Sequence, residues 1–109
     1  MLQKKLIQNL NNILFKRNYY IFILIISSFF FTFYYGFIGI FPIDSFLIYD
    51  AGYKLLNGYH PFRDYWSITG PILDYIQFVF FKLFGINWFS YVLHAAVLNL
   101  FITLIFFYF

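Results

Sequence analysis

The chain has 109 residues, of which 63% are hydrophobic, 29% are aromatic and only 10% are charged, whereas soluble domains carry about 25% charged residues. This composition excludes an ordinary soluble domain and predicts an all-α integral membrane protein. The net charge of +3 does not indicate a nucleic-acid partner, because four of the seven basic residues precede the first apolar run (Lys4, Lys5, Lys16 and Arg17). Basic residues in that position orient a membrane helix by remaining in the cytoplasm. The absence of cysteine excludes disulfides and cysteine zinc sites.

The first 18 residues form a basic segment in which leucine and isoleucine recur at helical spacing between lysine, glutamine and asparagine. This pattern predicts a short cationic amphipathic helix on the cytoplasmic membrane face. A frayed basic tail is the alternative. A cleaved signal peptide is disfavoured, because the following apolar run is too long and has no small-residue cleavage site.

Residues 19–41 form an uncharged apolar run that, at about 1.5 Å per residue, can cross a hydrocarbon core of roughly 30 Å. This run is predicted to be transmembrane helix 1. The basic residues before it keep the N-terminus in the cytoplasm and send residue 42 to the opposite side. Ser28, Thr32 and Gly36 repeat every four residues, which indicates a face where a neighbouring helix packs.

An extracytoplasmic loop, residues 42–86, is predicted to follow and to contain two amphipathic juxtamembrane helices. The first covers about residues 44–57 and is expected to lie flat on the outer membrane surface. Asp44 or Ser45 can cap its start, and Asp50 with Lys54 forms an i,i+4 ion pair. An Asn-Gly pair marks its end.

The second loop helix is predicted at about residues 71–85, opening on a proline and ending at a glycine. It is about 22 Å long at 1.5 Å per residue, which is short for a span. It carries Asp74, Gln77 and Lys82 on the side away from its aliphatic residues. The sequence therefore predicts a juxtamembrane or re-entrant helix.

Residues 87–109 are predicted to return to the cytoplasm as transmembrane helix 2, with a second stripe of Ala95, Asn99 and Thr103. Within so short a chain both stripes are expected to lack partners, which predicts further membrane helices. The apolar ending FFYF likewise predicts a truncated span. In an alternative topology residues 71–85 also cross, giving three spans, but this would place Asp74 and Lys82 in hydrocarbon.

Several short motifs occur in a fixed order around the loop. They are Asp44, Leu55-Leu56-Asn57-Gly58, Pro61-Phe62-Arg63-Asp64, Gly70-Pro71-Ile72-Leu73 and Leu83-Phe84-Gly85. This set resembles the N-terminal part of polytopic glycosyltransferases with the GT-C fold, of the protein O-mannosyltransferase, aminoarabinose transferase and lipopolysaccharide-core Rgt type. The resemblance implies an enzyme of the bacterial cytoplasmic (inner) membrane that uses a polyprenyl-phosphate-linked sugar for cell-envelope assembly, with this chain as an N-terminal fragment that is inactive alone.

The resemblance implies that Asp44 is the catalytic base, taking a proton from an acceptor hydroxyl as it attacks the anomeric carbon. The departing phosphate would need cations, for which Lys54, Arg63 and His60 are the local candidates. A divalent metal is possible, although relatives often have glutamate where this chain has Ser45. The full predicted substrate-binding set is Asp50, Lys54, His60, Arg63, Asp64 and Trp66.

Each candidate also has a structural interpretation. Asp44 can be a helix cap, Asp50 the partner of Lys54, and Asp64 a loop-fixing group next to Arg63. Aromatic residues such as Trp66 are common at membrane interfaces in any case. The principal alternative function is a small non-catalytic membrane subunit or adaptor. A transporter segment is disfavoured, because neither predicted span contains an acidic or basic residue.

Overall fold

The computed structural model describes the backbone of residues 2–39 and 42–109 and the side chains of residues 16–39 and 44–109. These residues form four helices and no β-strand, which confirms the all-α prediction. The last three helices begin and end within two residues of their predicted bounds. The helices are α1 (Leu2–Ile38), α2 (Pro42–Leu56), α3 (Pro71–Phe84) and α4 (Trp88–Tyr108).

Helix α1 is continuous and crosses the predicted boundary at residue 18 without a break. No glycine or proline occurs before Gly36, so nothing in the backbone interrupts the helical hydrogen bonds. The basic N-terminal segment is thus helical from Leu2 onward, in line with the helical alternative for these residues. The predicted contact of this segment with the membrane face concerns side chains that lie mostly in residues 1–15, outside the described part.

Two segments are long and apolar enough to cross a membrane, residues Lys16–Ile38 of α1 and Trp88–Tyr108 of α4. Only 6% of the first window and 22% of the second are buried within the structure. The core helix of a soluble protein would be mostly buried, whereas the described part of α1 and the second half of α4 expose many apolar side chains. That distribution is compatible with lipid as the surrounding medium.

Helices α1 and α4 pack as an antiparallel hairpin in which the two predicted stripes face each other. Ser28 Oγ and Thr103 Oγ1 share a hydrogen bond of 2.7 Å, and Asn99 Nδ2 donates to Thr32 Oγ1 at 2.6 Å. A Cβ on Gly36 would lie 2.6 Å from Val92 Cγ1, so the glycine permits the close approach. The expectation that both stripes need partners outside this chain is therefore wrong, because each stripe is the other's partner.

Helices α2 and α3 pack against each other, and α3 also contacts α4. At the α2–α3 crossing, a Cβ on Gly52 would lie 2.6 Å from Gln77 Cγ. The polar side of α3 faces inward, with Asp74 only 1% and Gln77 0% exposed, whereas Ile72 is 73% and Leu83 is 69% exposed. The helix is thus amphipathic as predicted, but Asp74 and Gln77 lie in the interior of the fold, whereas Lys82 is exposed.

The helix ends follow from local backbone chemistry. Gly58 has a φ of 83° and, with Tyr59, closes the end of α2 by donating to the carbonyls of Leu55 and Lys54, both at 3.1 Å, which is a Schellman motif. The side chain of Asn87 accepts from Ser90 N at 2.8 Å and caps α4. Because α2 begins at Pro42, Asp44 lies within its first turn, and the prediction of Asp44 or Ser45 as the cap is corrected.

Candidate functional site

The loop between α2 and α3 is held in shape by the Asp64 carboxylate. Its Oδ2 accepts hydrogen bonds from the His60 backbone N–H at 2.7 Å and from Arg63 Nε at 2.9 Å. A second Arg63 nitrogen lies 2.7 Å from the same oxygen and donates to the Gly58 carbonyl at 3.2 Å. These contacts agree with the loop-fixing interpretation of Arg63 and Asp64. The Arg63 hydrogen bond, followed by the His60 backbone, holds the pKa of Asp64 below its ordinary value.

The same loop contains a tight turn with an unusual backbone conformation. Phe62 has a φ of 63°, a left-handed conformation that is unfavourable for a residue with a bulky side chain. Its N–H donates to the Tyr65 carbonyl at 2.7 Å, and its ring lies edge-on to Trp66 with the centroids 5.4 Å apart. The hydrogen-bonded loop therefore holds Trp66 at the surface, where its side chain is 79% exposed.

A chain of polar contacts joins α2, the loop and α3. Lys54 Nζ lies 2.7 Å from Asp50 Oδ2, which confirms the predicted ion pair, and 5.1 Å from the centroid of the Tyr65 ring. The Tyr65 hydroxyl donates to Asp74 Oδ2 at 3.1 Å. Burial, and then the Asp74 carboxylate, raise the pKa of Tyr65 well above its usual range. The hydroxyl therefore remains protonated and keeps donating to Asp74.

Several buried polar atoms near these polar contacts have no hydrogen-bond partner among the described residues. They are Ser67 Oγ, Asp74 Oδ1, Gln77 Nε2 and His94 Nε2. Gln77 Oε1 lies 2.5 Å from His94 Nδ1, so these two buried side chains join α3 to α4 by a hydrogen bond. Buried groups without partners are uncommon and frequently occur at functional sites. Ser67 carried no recognisable sequence pattern, whereas Asp74 stood out as one of only four acidic residues.

Two small pockets lie on either side of Lys54 and Tyr65. One has a volume of about 60 Å³ and is lined by Asp50, Trp66, Ser67 and Asp74, among other residues. The other has a volume of about 160 Å³ and includes Asp64 in its wall. Both are smaller than the roughly 300–1,000 Å³ of typical ligand sites. Each can accept part of a ligand, such as a single polar group.

A larger groove of about 470 Å³ lies between α1 and α4 at the end nearest α2. Its walls combine aromatic residues with a few polar groups. They include Phe31, Tyr35, Trp88, Tyr91, Thr32, Asn99 and Ser45. Trp88 Nε1 donates to the Gly36 carbonyl at 2.9 Å, which fixes one wall. The volume is in the range of typical small-molecule sites.

The predicted site residues divide between the two ends of α2. Asp50, Lys54 and Trp66 line one pocket, and Lys54 and Asp64 line its neighbour. His60 is nearby and exposed, with Nδ1 hydrogen-bonded to the Tyr75 hydroxyl at 3.2 Å. Arg63 reaches the C-terminal end of α2 through the Gly58 carbonyl. The residues predicted to bind substrate therefore form one cluster.

Asp44 lies apart from that cluster. It is exposed in the first turn of α2, about 15 Å along the helix from Lys54 at 1.5 Å per residue. The next residue, Ser45, lines the large groove. The predicted base and the predicted cations thus lie at opposite ends of α2, and two of the three cation candidates, Lys54 and Arg63, are paired with neighbouring aspartates.

The described side chains contain no group of three His, Cys, Asp or Glu residues that could hold a metal ion. The divalent metal therefore remains a prediction from the resemblance. Comparison of the chain with protein-family models, with curated proteins and with solved structures found no match.

Proposed function

We propose that this chain is the N-terminal membrane part of a glycosyltransferase that moves a sugar from a polyprenyl-phosphate donor to a cell-envelope acceptor. The motif resemblance supplies the reaction class. One observation supports this proposal. Helices α1 and α4 are antiparallel, so the segment between them begins and ends at the same end of the hairpin. All four aspartates of the chain lie in that segment.

The proposed topology has two crossings, with the N-terminus in the cytoplasm and residues 42–86 outside. Residues 28, 32 and 36 of α1 meet residues 103, 99 and 92 of α4 in that order, so the two helices run in opposite directions. Three crossings would make α1 and α4 parallel, because α3 would intervene as a complete span. The packing therefore supports two crossings.

In this proposal Asp44 acts at the mouth of the large groove, which its neighbour Ser45 lines. As general base, the carboxylate accepts the proton of an acceptor hydroxyl while that oxygen attacks the anomeric carbon of the donor. The bond from that carbon to the lipid phosphate breaks, and the phosphate leaves with the electron pair. The cluster around Lys54 and Trp66, at the other end of α2, is assigned to substrate binding, and its paired cations make it better suited to sugar hydroxyl groups than to a phosphate.

The test is a transfer assay with lipid-linked sugar donor, using membranes from cells that express the intact gene. Asp44→Asn is expected to lower turnover by about 10²–10⁴-fold, the usual contribution of a general base. Asn57→Ala, an exposed polar change at the other end of the same helix, serves as the matched control. Undiminished turnover of Asp44→Asn at normal protein levels would remove Asp44 from the mechanism.

A second candidate function is a non-catalytic membrane subunit or adaptor. The observation that favours it is the α1–α4 hairpin, whose polar stripes satisfy each other without requiring further helices. This candidate predicts that Asp44→Asn leaves function intact. It also predicts that a partner protein co-purifies with the chain and is lost when the hairpin is disrupted.

A further inference from the structure

The two sides of α3 differ in polarity and in exposure. At 3.6 residues per turn, Asp74, Gln77 and Phe81 share one side of the helix, and all three are buried. The opposite side carries three exposed aliphatic residues, which we call the outer α3 face. These are Ile72, Val79 and Leu83, with exposures of 73%, 46% and 69%.

Helix α2 has the reverse arrangement. Its small and aliphatic residues Ala51, Gly52 and Leu55 are buried, and Gly52 packs directly on Gln77 of α3. Asp50 and Asn57 lie on the far side of α2 and are exposed. The two helices together therefore form a layer whose outer surface on α3 is aliphatic. The far side of α2 is mixed, because Asp50 and Asn57 are exposed there beside Phe46 and Tyr53, which are 48% and 47% exposed.

At the turn between the two helices, the apolar surface of α3 meets that of α4. Phe84, at the end of α3, and Phe89, at the start of α4, have ring centroids 6.5 Å apart, and both side chains are about half exposed. Gln77 and Phe80 reach His94 of α4, so α3 lies beside the first turns of that helix. An apolar surface that continues from a lipid-facing helix onto its neighbour is suited to the same solvent.

We infer that the outer α3 face docks on the outer leaflet of the bilayer and that α2 lies above α3 on the aqueous side. The sequence had placed α2 directly on the membrane surface. In the inferred arrangement α3 separates α2 from lipid and presents Asp50 and Lys54 to water, where a soluble acceptor can reach them. Lys82 and Tyr75, exposed along one edge of α3, are residue types that extend to the headgroup region while their apolar parts remain in lipid.

The inference rests only on the membrane crossings of the proposed function and is independent of sugar transfer. It can be tested in the full chain, because the chain contains no cysteine and single cysteines can be introduced directly. Ile72→Cys and Leu83→Cys report on the outer α3 face. Asn57→Cys is the aqueous control, and Ile102→Cys, at an exposed position in α4, is the lipid control.

Each variant is labelled with the fluorophore NBD and reconstituted into phosphatidylcholine vesicles with or without brominated acyl chains. Quenching by the brominated lipid at positions 72 and 83 is expected to be comparable with that at 102 and several-fold greater than that at 57. All four substitutions are at exposed positions, so little packing is lost. Circular dichroism of each vesicle preparation confirms that the helices are retained.

The outcomes separate the two proposals. Quenching at 102 but not at 72 and 83 would overturn the docking of α3 while leaving the membrane crossings intact. No quenching at 102 would show that the crossings themselves are wrong. Blue-shifted but unquenched NBD at 72 and 83 would mean that a second copy of the chain covers this face, which also overturns the inference.

Discussion

The polar side chains of the α1–α4 hairpin and of the α2–α3 layer differ in how completely they are hydrogen-bonded. In the hairpin, the hydroxyl and amide groups of Ser28, Thr32, Asn99 and Thr103 are all hydrogen-bonded. In the layer and at its contact with α4, Asp74, Gln77 and His94 each have one polar atom paired and another unpaired. The hairpin uses its polar groups for association, whereas the layer retains hydrogen-bonding capacity that the described structure does not use.

This difference indicates that the polar groups of the hairpin are structural and that those of the layer are the better candidates for a functional role. Hydrogen bonds between membrane helices contribute modestly, about 0.6 kcal/mol each on average, so a fully paired stripe mainly specifies which helices meet. An incompletely paired buried carboxylate has a free-energy cost, and such groups are common at sites where activity and stability conflict. Substitutions in the two regions should therefore have different consequences.

The largest effect is expected from Gly36→Ala in the hairpin. The new Cβ would lie 2.6 Å from Val92 Cγ1 and 3.0 Å from Cγ2, so a stiff β-branched side chain must move. Overpacking of this kind should lower the free energy of unfolding by about 2–3 kcal/mol. The measurement is an SDS titration followed by Trp88 fluorescence in a Trp66→Phe background.

Gly39→Ala provides the matched control, since a Cβ there would meet nothing within 4 Å. Adding Val92→Ala to Gly36→Ala should restore part of the lost stability. If both glycine variants were equally destabilised, close approach at Gly36 would not be what holds the hairpin together.

A smaller effect is expected in the layer from Tyr65→Phe, which removes the hydrogen bond from the Tyr65 hydroxyl to the Asp74 carboxylate. Leaving that group without a partner should cost about 1–2 kcal/mol. The double variant Tyr65→Phe/Asp74→Leu replaces both partners by apolar groups and should be as stable as the wild type or more stable. The same SDS titration measures both variants, and a double variant less stable than Tyr65→Phe would contradict this account of Asp74.

The smallest effect is expected at Asp64, where the consequence is a pH dependence. Its pKa is lowered from 3.8 by Arg63 and the His60 backbone, so the carboxylate contributes stability to the loop above pH 3.8. That contribution is lost as the pH falls through the lowered pKa. Trp66 fluorescence in a Trp88→Phe background should therefore stay constant down to about pH 4 and change below it.

Asp64→Asn should remove this acid transition, because the amide does not titrate in that range. An unchanged transition in the variant would assign the pH dependence to another group. The comparison thus tests whether the contacts of the Asp64 carboxylate hold the loop in shape.

The limits of α2, α3 and α4 were predictable because they depend on local chemistry. Pro71 opens α3, and the glycines at 58 and 85 have positive φ angles that end α2 and α3. The Asp50–Lys54 pair follows from i,i+4 spacing alone and was predicted correctly. The stripes were also recognised, but not their pairing, because Ser28 and Thr103 are separated by 75 positions and no local pattern specifies which distant helix they meet.

The grouping of the site residues was only partly predictable. Proximity in sequence brought Lys54, His60 and Arg63 into one expected site with Asp44, but the length of α2 separates Asp44 from the others. Asp74 was assigned to the polar side of α3, and its burial was not foreseen because polar sides of isolated amphipathic helices are usually interpreted as solvent-facing.

By itself, the sequence determined the helical class, the limits of α2, α3 and α4 to within two residues, and the two apolar segments long enough to span a membrane, because these depend on hydrophobicity, proline, glycine and spacing within a few turns. The tertiary structure decided three further features: the mutual satisfaction of the α1 and α4 stripes, the inward orientation of Asp74 and Gln77, and the separation of Asp44 from the Lys54 cluster. Each of these depends on the register and orientation of segments distant in the chain, which are set by packing between helices rather than by local conformational preference.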